Sequence, residues 1–179
     1  MANYYYYIAG MSDLNLSNPK AAPDMEELKN ELAEHLTRND LKLVELLDER
    51  LEPEEDGSID KTKAENFFAV RMKCHNKFVR EWTMFNLDIN NILTAMICRK
   101  NGWSIKDNMV GKNEVTEAII ANQSAKDFAL REEYPYFDSL MQIVETDNLM
   151  EREQKIDALK WQWLDDNTLF NYFSVERVL

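Results

Sequence analysis

Residues 60–101 contain neither proline nor glycine, so nothing in this run breaks a helix before Gly102. Within it, side chains suited to a buried face recur at three- and four-residue spacing for about thirty residues. They are Phe67, Phe68, Cys74, His75, Phe78, Trp82, Phe85, Ile89, Leu93 and Met96. The pattern predicts one long central helix over about residues 61–100, roughly 60 Å in length. The alternative is two helices that join near residues 86–91.

The rest of the chain also favours helices. Its 179 residues include only 4 glycines and 4 prolines, too few for the frequent turns of a β-sandwich or barrel. Asp24 with Glu27 forms a capping-box pattern, and Asn39 and Asn113 can cap two further helices. We therefore predict an all-α, elongated multi-helix bundle.

The N-terminal tyrosines are the exception to this helical character. Residues 4–8 read Tyr-Tyr-Tyr-Tyr-Ile, which has strong β-propensity, and Gly10 closes the run. This composition predicts a short extended segment, either an edge strand or an arm laid across helices.

The domain prediction is a single helical domain over residues 1–179. A charged loop at residues 54–59 is a possible hinge within it. Ser174 resembles a helix cap, and only five residues follow it. The sequence therefore predicts that the chain is an N-terminal fragment of a longer protein.

Charge is segregated along the chain, whose formal net charge is −12. Residues 24–56 hold 13 acidic and 4 basic side chains, residues 60–112 hold 5 and 10, and residues 113–179 hold 14 and 6. An excess of negative charge repels phosphate backbones, so we predict no nucleic-acid partner. The basic middle predicts either complementary docking of a protein or simply solvated helix faces.

The cysteines and histidines are too few for common sites. Cys74 and Cys98 cannot form a disulfide framework or complete a zinc site. His75 adjoins Cys74, but adjacent residues on a helix point in different directions, so we predict a core histidine rather than a catalytic base. The other histidine, His35, lies in a charged helix and is predicted to be solvated.

Arg71 is unusual because it lies on the apolar stripe. A buried guanidinium needs a carboxylate or carbonyl partner, and Asp127 and Asp157 are the candidates. The sequence predicts a structural ion pair here, with an anion site as the alternative.

Other charged and aromatic groups are predicted to lie on solvated faces, in turns or in packing. Catalytic acids need a dry pocket, whereas these acidic pairs lie on polar faces or at helix ends. Lys73, Lys77 and Arg80 form a basic stripe that could bind an acidic helix, or be solvated. The remaining groups are Glu132 with Glu133, Glu151 with Glu153 and Lys155, Asp165 with Asp166, the Gly111-Lys112 turn, and Trp161 with Trp163. We predict no catalytic, cofactor-binding or metal-binding residue.

No basic-then-apolar leader begins the sequence, and no uncharged apolar run approaches the roughly 20 residues that cross a bilayer. The chain is therefore expected to be cytoplasmic, with any membrane association made through a partner.

Several short motifs carry a resemblance to a known family. They are residues 4–11 (Tyr-Tyr-Tyr-Tyr-Ile-Ala-Gly-Met), 82–86, 90–91, 99–100, 110–113, 124–128, 156–157 with Trp161 and Trp163, and 170–173. In these residues the chain resembles a bacterial family that is encoded among V-type ATPase genes and is similar to the C-type (or d-type) component of that ATPase. Members of that family are longer than this chain.

The resemblance implies an all-helical, funnel-like component that seats the central stalk on the membrane ring of a rotary ion-pumping ATPase. The implied partners are the other V-type ATPase subunits, and the implied location is cytoplasmic, peripheral to the inner membrane. The family brings no catalytic residues. The alternatives are a helical interaction or regulatory module with another partner, and an enzyme that uses Arg71 or an acidic cluster.

Overall fold

The computed structural model describes residues 4–10, 23–55 and 59–168, and every regular element in these ranges is helical. The helices are α1 (Tyr5–Gly10), α2 (Met25–His35), α3 (Arg38–Asp48), α4 (Lys61–Met72), α5 (Lys77–Asn101), α6 (Ile105–Asn108), α7 (Glu114–Ala121), α8 (Phe137–Glu145) and α9 (Leu149–Thr168). The all-α prediction is confirmed.

The described residues fall into two compact units. Arg50–Leu159 form one unit, and the described residues up to Glu49 and from Lys160 form the other. The predicted hinge at residues 54–59 includes residues 56–58, which lie outside the described ranges, so it stays a prediction. The predicted last helical segments, with Phe170, Phe173 and the Ser174 cap, also lie outside them.

The larger unit is built around α5, the long helix of 25 residues. Asn76 caps its first turn by accepting a hydrogen bond from the Val79 N–H at 3.1 Å. The helix packs against α4, α6, α7 and α8. Its core side chains are buried on the faces that meet these neighbours, namely Val79, Phe85, Leu87, Ile89, Ile92, Ala95, Met96 and Cys98. This burial is the main source of stability that the sequence pattern predicts.

The prediction of one helix over residues 61–100 is wrong in its extent, because the chain leaves the helix between Met72 and Lys77. Arg80 stabilises the break by donating hydrogen bonds to the carbonyls of Cys74 and His75, at 2.6 and 2.7 Å. The break is four residues long, close to one helical turn, so the spacing of apolar residues in the sequence does not reveal it. The alternative joint near residues 86–91 is also wrong, since α5 runs through it.

His75 illustrates the consequence of this break. It lies in the turn between α4 and α5 and is exposed, so the prediction of a core histidine is wrong. The prediction for His35 is confirmed, because that side chain is exposed on α2.

The predicted extended N-terminal segment is wrong as well, because residues 5–10 form α1. The Tyr4 hydroxyl donates to Asp40 Oδ2 at 2.6 Å, and the Tyr7 hydroxyl donates to Glu31 at 3.2 Å. A helical turn brings residues three apart to one side of the chain, where both phenols reach acidic helices. These tertiary bonds tie Tyr4 to α3 and Tyr7 to α2, which the β-propensity of tyrosine does not predict.

Helix caps agree closely with the sequence. Asp24 accepts hydrogen bonds from the first turn of α2, and Asn113 forms a capping box at the start of α7. α3 differs slightly, since its cap is Thr37 rather than the predicted Asn39.

Gly102 provides a test of the boundary at the end of α5. Its φ of +70° is left-handed, and no atom lies within 4 Å of an added Cβ, so the Gly102→Ala variant changes only backbone strain. We expect it to lower the free energy of unfolding by about 1 kcal/mol in urea titrations. The matched control is Gly10→Ala, also open to solvent but without positive φ, which should cause no loss. Equal effects of the two variants would contradict the assignment.

Candidate functional site on the long helix

Residues 109–113 cross α5 and are fastened to it by a buried amide. The Asn91 side chain donates to the Val110 carbonyl and accepts from the Val110 N–H, both at 2.9 Å. The next residue, Gly111, has a φ of +71°, and a Cβ there would lie 3.6 Å from Leu87 Cδ2. The crossing therefore combines a two-point hydrogen bond with a close backbone approach.

Asp88 lies one turn of α5 from this crossing and is only 8% exposed. Asn113 Nδ2 donates to its Oδ1 at 2.6 Å. Burial raises the pKa of Asp88 to about 6, against the lowering effect of the Asn113 hydrogen bond, and Glu114 raises it further. The structure thus places on α5 a buried carboxyl group whose pKa lies well above its ordinary value.

Tyr134 lies near this acid, at the approach to α8. Its hydroxyl is buried and has no hydrogen-bond partner within the described part of the chain. Burial raises the pKa of Tyr134, and the charge of Asp88 raises it further, so the phenol stays neutral. A buried hydroxyl without a partner costs stability, because it has lost its water.

An aromatic cluster lies beside Tyr134. Tyr136 lies 6.1 Å from the Tyr134 ring and 5.4 Å from the Phe85 ring, measured between centroids. Trp82 continues the cluster at 5.9 Å from Phe85. Burial among packed side chains removes water from Asp88, which is the main reason that its pKa lies above the ordinary value.

A cleft of about 360 Å³ opens on α5 beside the crossing segment, between α4, α6 and the chain before α4. Its apolar lining comes from Leu51, Ile59, Ala64, Phe68, Leu87, Leu93, Ile97 and Val110. Asn90 and Thr94 also line it, and neither side chain makes a hydrogen bond within the described ranges. Being four residues apart, they share one helix face. The cleft can therefore hold an apolar group that carries a hydrogen-bonding atom.

Arg99 fastens a second loop to the far end of α5. Its guanidinium donates to the carbonyls of Gln123, Ala125 and Lys126 at 2.9, 2.6 and 2.7 Å. Its central carbon lies 3.8 Å from the centroid of the Phe128 ring. Phe128 and Ala129 have φ values of 51° and 58°, which are strained for residues other than glycine. The Arg99 contacts and the full burial of Phe128 hold the loop in this conformation.

Arg71 is buried, as the sequence predicts, and its guanidinium lies 3.4 Å from the Phe67 ring centroid and donates to the Phe67 carbonyl. Asp127, a predicted partner, belongs instead to the loop that Arg99 fastens. Burial lowers the pKa of Arg99, and Asp127 partly offsets this. The other candidate, Asp157, is exposed on α9.

The remaining predicted groups serve surface or packing roles. The acidic pairs at residues 132–133, 151 with 153, and 165–166 are exposed, as predicted. Glu151 and Lys155 form the predicted ion pair at 2.8 Å. In the basic stripe, Lys77 pairs with Glu81 at 3.4 Å while Arg80 caps the turn described above. Trp163 is buried and Trp161 is half-buried.

Sequence reasoning missed Asp88 and Tyr134. A signal for Asp88 was available, because it is the only charged residue between Glu81 and Arg99 on a helix face that must pack. An isolated acid in such a run indicates a buried carboxyl with a raised pKa. Tyr134 carries no comparable signal, since its neighbours are known only from the fold.

Within the described ranges, no three His, Cys, Asp or Glu side chains converge as a metal site would require. None of the helices described combines the length and hydrophobicity needed to cross a bilayer.

Comparison with known proteins places the chain in a family. The chain belongs to the family described as a protein of unknown function (DUF2764), whose model matches residues 1–55 and 49–179. Searches of curated proteins and of solved structures found no match.

The raised pKa of Asp88 predicts a pH dependence of stability. Between its ordinary pKa of 3.8 and about 6, the native state binds the proton that the unfolded state releases, so stability falls as pH rises through this window. Asp88→Asn keeps the acceptor for Asn113 and removes the charge. Above pH 7, we expect the free energy of unfolding of this variant to exceed that of the wild type by about 3 kcal/mol at most.

The measurement is urea unfolding of both proteins from pH 4 to pH 8. Asp157→Asn is the matched control, since Asp157 is exposed and should leave the wild-type pH profile unchanged. Parallel profiles for Asp88→Asn and the wild type would show that Asp88 is not the titrating group.

Arg99→Lys tests the fastening of the second loop. Lysine keeps the charge but lacks the planar fork that reaches three carbonyls, so we expect a loss of about 2 kcal/mol in the free energy of unfolding. Amide hydrogen exchange in residues 123–130 should also accelerate. The control is Arg131→Lys, whose exposed pair with Asp138 should contribute little. Unchanged exchange in the Arg99 variant would refute the role.

Proposed function

We propose that this chain is a non-catalytic structural subunit of a bacterial V-type ATPase, similar to the C-type component, which links the central stalk to the membrane ring. In this role it is cytoplasmic and reaches the membrane only through partner subunits. One observation carries the proposal: residues of the motifs behind the resemblance make the bonds that fasten loops to α5.

Three of these motif residues show the pattern. Asn91 fastens Val110, Asn113 caps α7 and donates to Asp88, and Arg99 binds three carbonyls of the loop at residues 123–126. Each side chain is used for internal shape. Side chains committed to internal shape suit a subunit that acts mechanically.

Stiffness is the physical requirement for such a subunit, because a linker that transmits torque loses coupling if it bends. α5 extends for 25 residues, roughly 37 Å at 1.5 Å per residue. The fastened loops lie beside its middle and its C-terminal end. Backbone groups bonded to the helix at two places resist local opening better than free loops do.

The cleft beside α5 favours a second candidate, a helical interaction module with a partner outside the ATPase. Its apolar lining, with Asn90 and Thr94 available for hydrogen bonds, suits a side chain or short segment of another protein. Both candidates are non-catalytic roles in which the chain binds another protein, and they differ only in the partner.

Affinity capture tests the proposal directly. The tagged full chain is purified from membranes of cells that make the V-type ATPase, and reciprocal capture uses a tagged stalk protein. We expect each experiment to recover the stalk and ring subunits in fixed ratio with this chain. A recovered complex without any V-type subunit would overturn the proposal and favour the second candidate.

Loss of the gene gives an independent functional readout. A subunit that links stalk to ring couples ATP hydrolysis to ion movement, so membranes without it should retain hydrolysis while ion pumping falls. Restoring the wild-type chain should restore pumping. Full pumping in its absence would contradict the linking role.

A further inference from the structure

We propose that the corner between α5 and α6 is a docking point for an acidic protein surface, with Trp103 as the anchor and Lys100 and Lys106 as its charged flanks. The partner's identity rests on the proposed function, which makes it a subunit of the same ATPase. The partner must offer an apolar pocket with carboxylates at its rim.

The backbone around Trp103 is fixed on both sides. Gly102 ends α5 in a left-handed conformation, and the Trp103 N–H donates to the Cys98 carbonyl at 2.8 Å. Immediately afterwards, Ser104 caps α6 and Ile105 enters the core. The position of Trp103 is therefore set before any partner arrives.

The Trp103 side chain nevertheless points into solvent and is 60% exposed. An apolar residue at this position after a helix commonly packs back on the last turn, yet this indole keeps most of its surface exposed. Tryptophan is enriched among the residues that dominate binding energy at protein interfaces. An anchor on a fixed backbone loses little conformational entropy on binding, which favours affinity.

The charge around the indole selects the partner. Lys100 and Lys106 stand three residues to either side of Trp103, and both are exposed. Neither has an ionic partner within the described residues, whereas Lys77 and Lys155 are paired with glutamates. Asp107 is the only acid in residues 99–107, so this segment keeps a net positive charge that complements carboxylates around a pocket.

A membrane surface fits this corner less well than a protein does. Interfacial binding uses an amphipathic helix with a broad apolar face, and α6 has only four residues. The net charge of −12 also opposes approach to anionic lipid.

Binding of purified full-chain variants to the isolated stalk–ring assembly tests the inference. Trp103→Ala should weaken the Kd by about tenfold or more. The double variant Lys100→Glu/Lys106→Glu should slow association severalfold, with a reduced salt dependence. Matched controls are Val70→Ala, at a residue 61% exposed in the same unit, and Lys42→Glu/Lys63→Glu, at two exposed lysines outside the corner. Both controls should bind as the wild type does, and thermal melts should show that every variant is folded.

The outcomes separate the two proposals. Wild-type binding that survives both corner variants would overturn this inference and leave the proposed function intact. No wild-type binding to the assembly would overturn both. Trp103-dependent binding to vesicles containing phosphatidylserine, with no effect on the assembly, would identify a membrane surface and overturn the protein docking point.

Discussion

The burial of α5 is the constraint on which the larger unit depends. Four helices cover it, and Ile89, Ile92 and Ala95 lose all contact with solvent. Each large apolar side chain buried in this way contributes roughly 1.5–3 kcal/mol. A helix covered on so many sides leaves little room for polar groups. Every polar side chain that α5 does carry inward must therefore find a partner or destabilise the fold.

The polar residues of α5 meet this requirement in different ways. The Asn91 side-chain amide forms hydrogen bonds with both the carbonyl and the N–H of Val110, and these two bonds fix the crossing segment. Arg99 extends this principle to the second loop, where it binds three carbonyls and holds a strained turn. Asp88 has the Asn113 amide but is buried away from water, and the nearby Tyr134 hydroxyl has no hydrogen bond to any described residue. The burial that stabilises the helix thus also raises the pKa of one carboxyl group, which makes the stability of the fold depend on pH.

The proposed function uses the first two of these features. Fastened loops around a long helix make a stiff body, which suits a linking subunit, and the exposed corner at Trp103 provides a contact beyond that body. The cleft with Asn90 and Thr94 offers a second contact surface. Asp88 needs no place in the linking role. The raised pKa of Asp88 instead makes the stability of the protein depend on pH.

The sequence by itself determined the helical class and many helix starts, because periodicity and caps such as Asp24 and Asn113 act through neighbours within one or two turns. The apolar spacing did not reveal the break before Lys77, because a break of four residues is close to one helical turn and leaves that spacing in the sequence unchanged. Tyr4 and Tyr7 bond to Asp40 and Glu31, which lie 36 and 24 residues away in the chain, beyond the reach of a local pattern. The pKa of Asp88, the isolation of the Tyr134 hydroxyl and the exposure of Trp103 likewise depend on distant elements. Local spacing specifies which helices form, and only tertiary packing decides which groups lose their water.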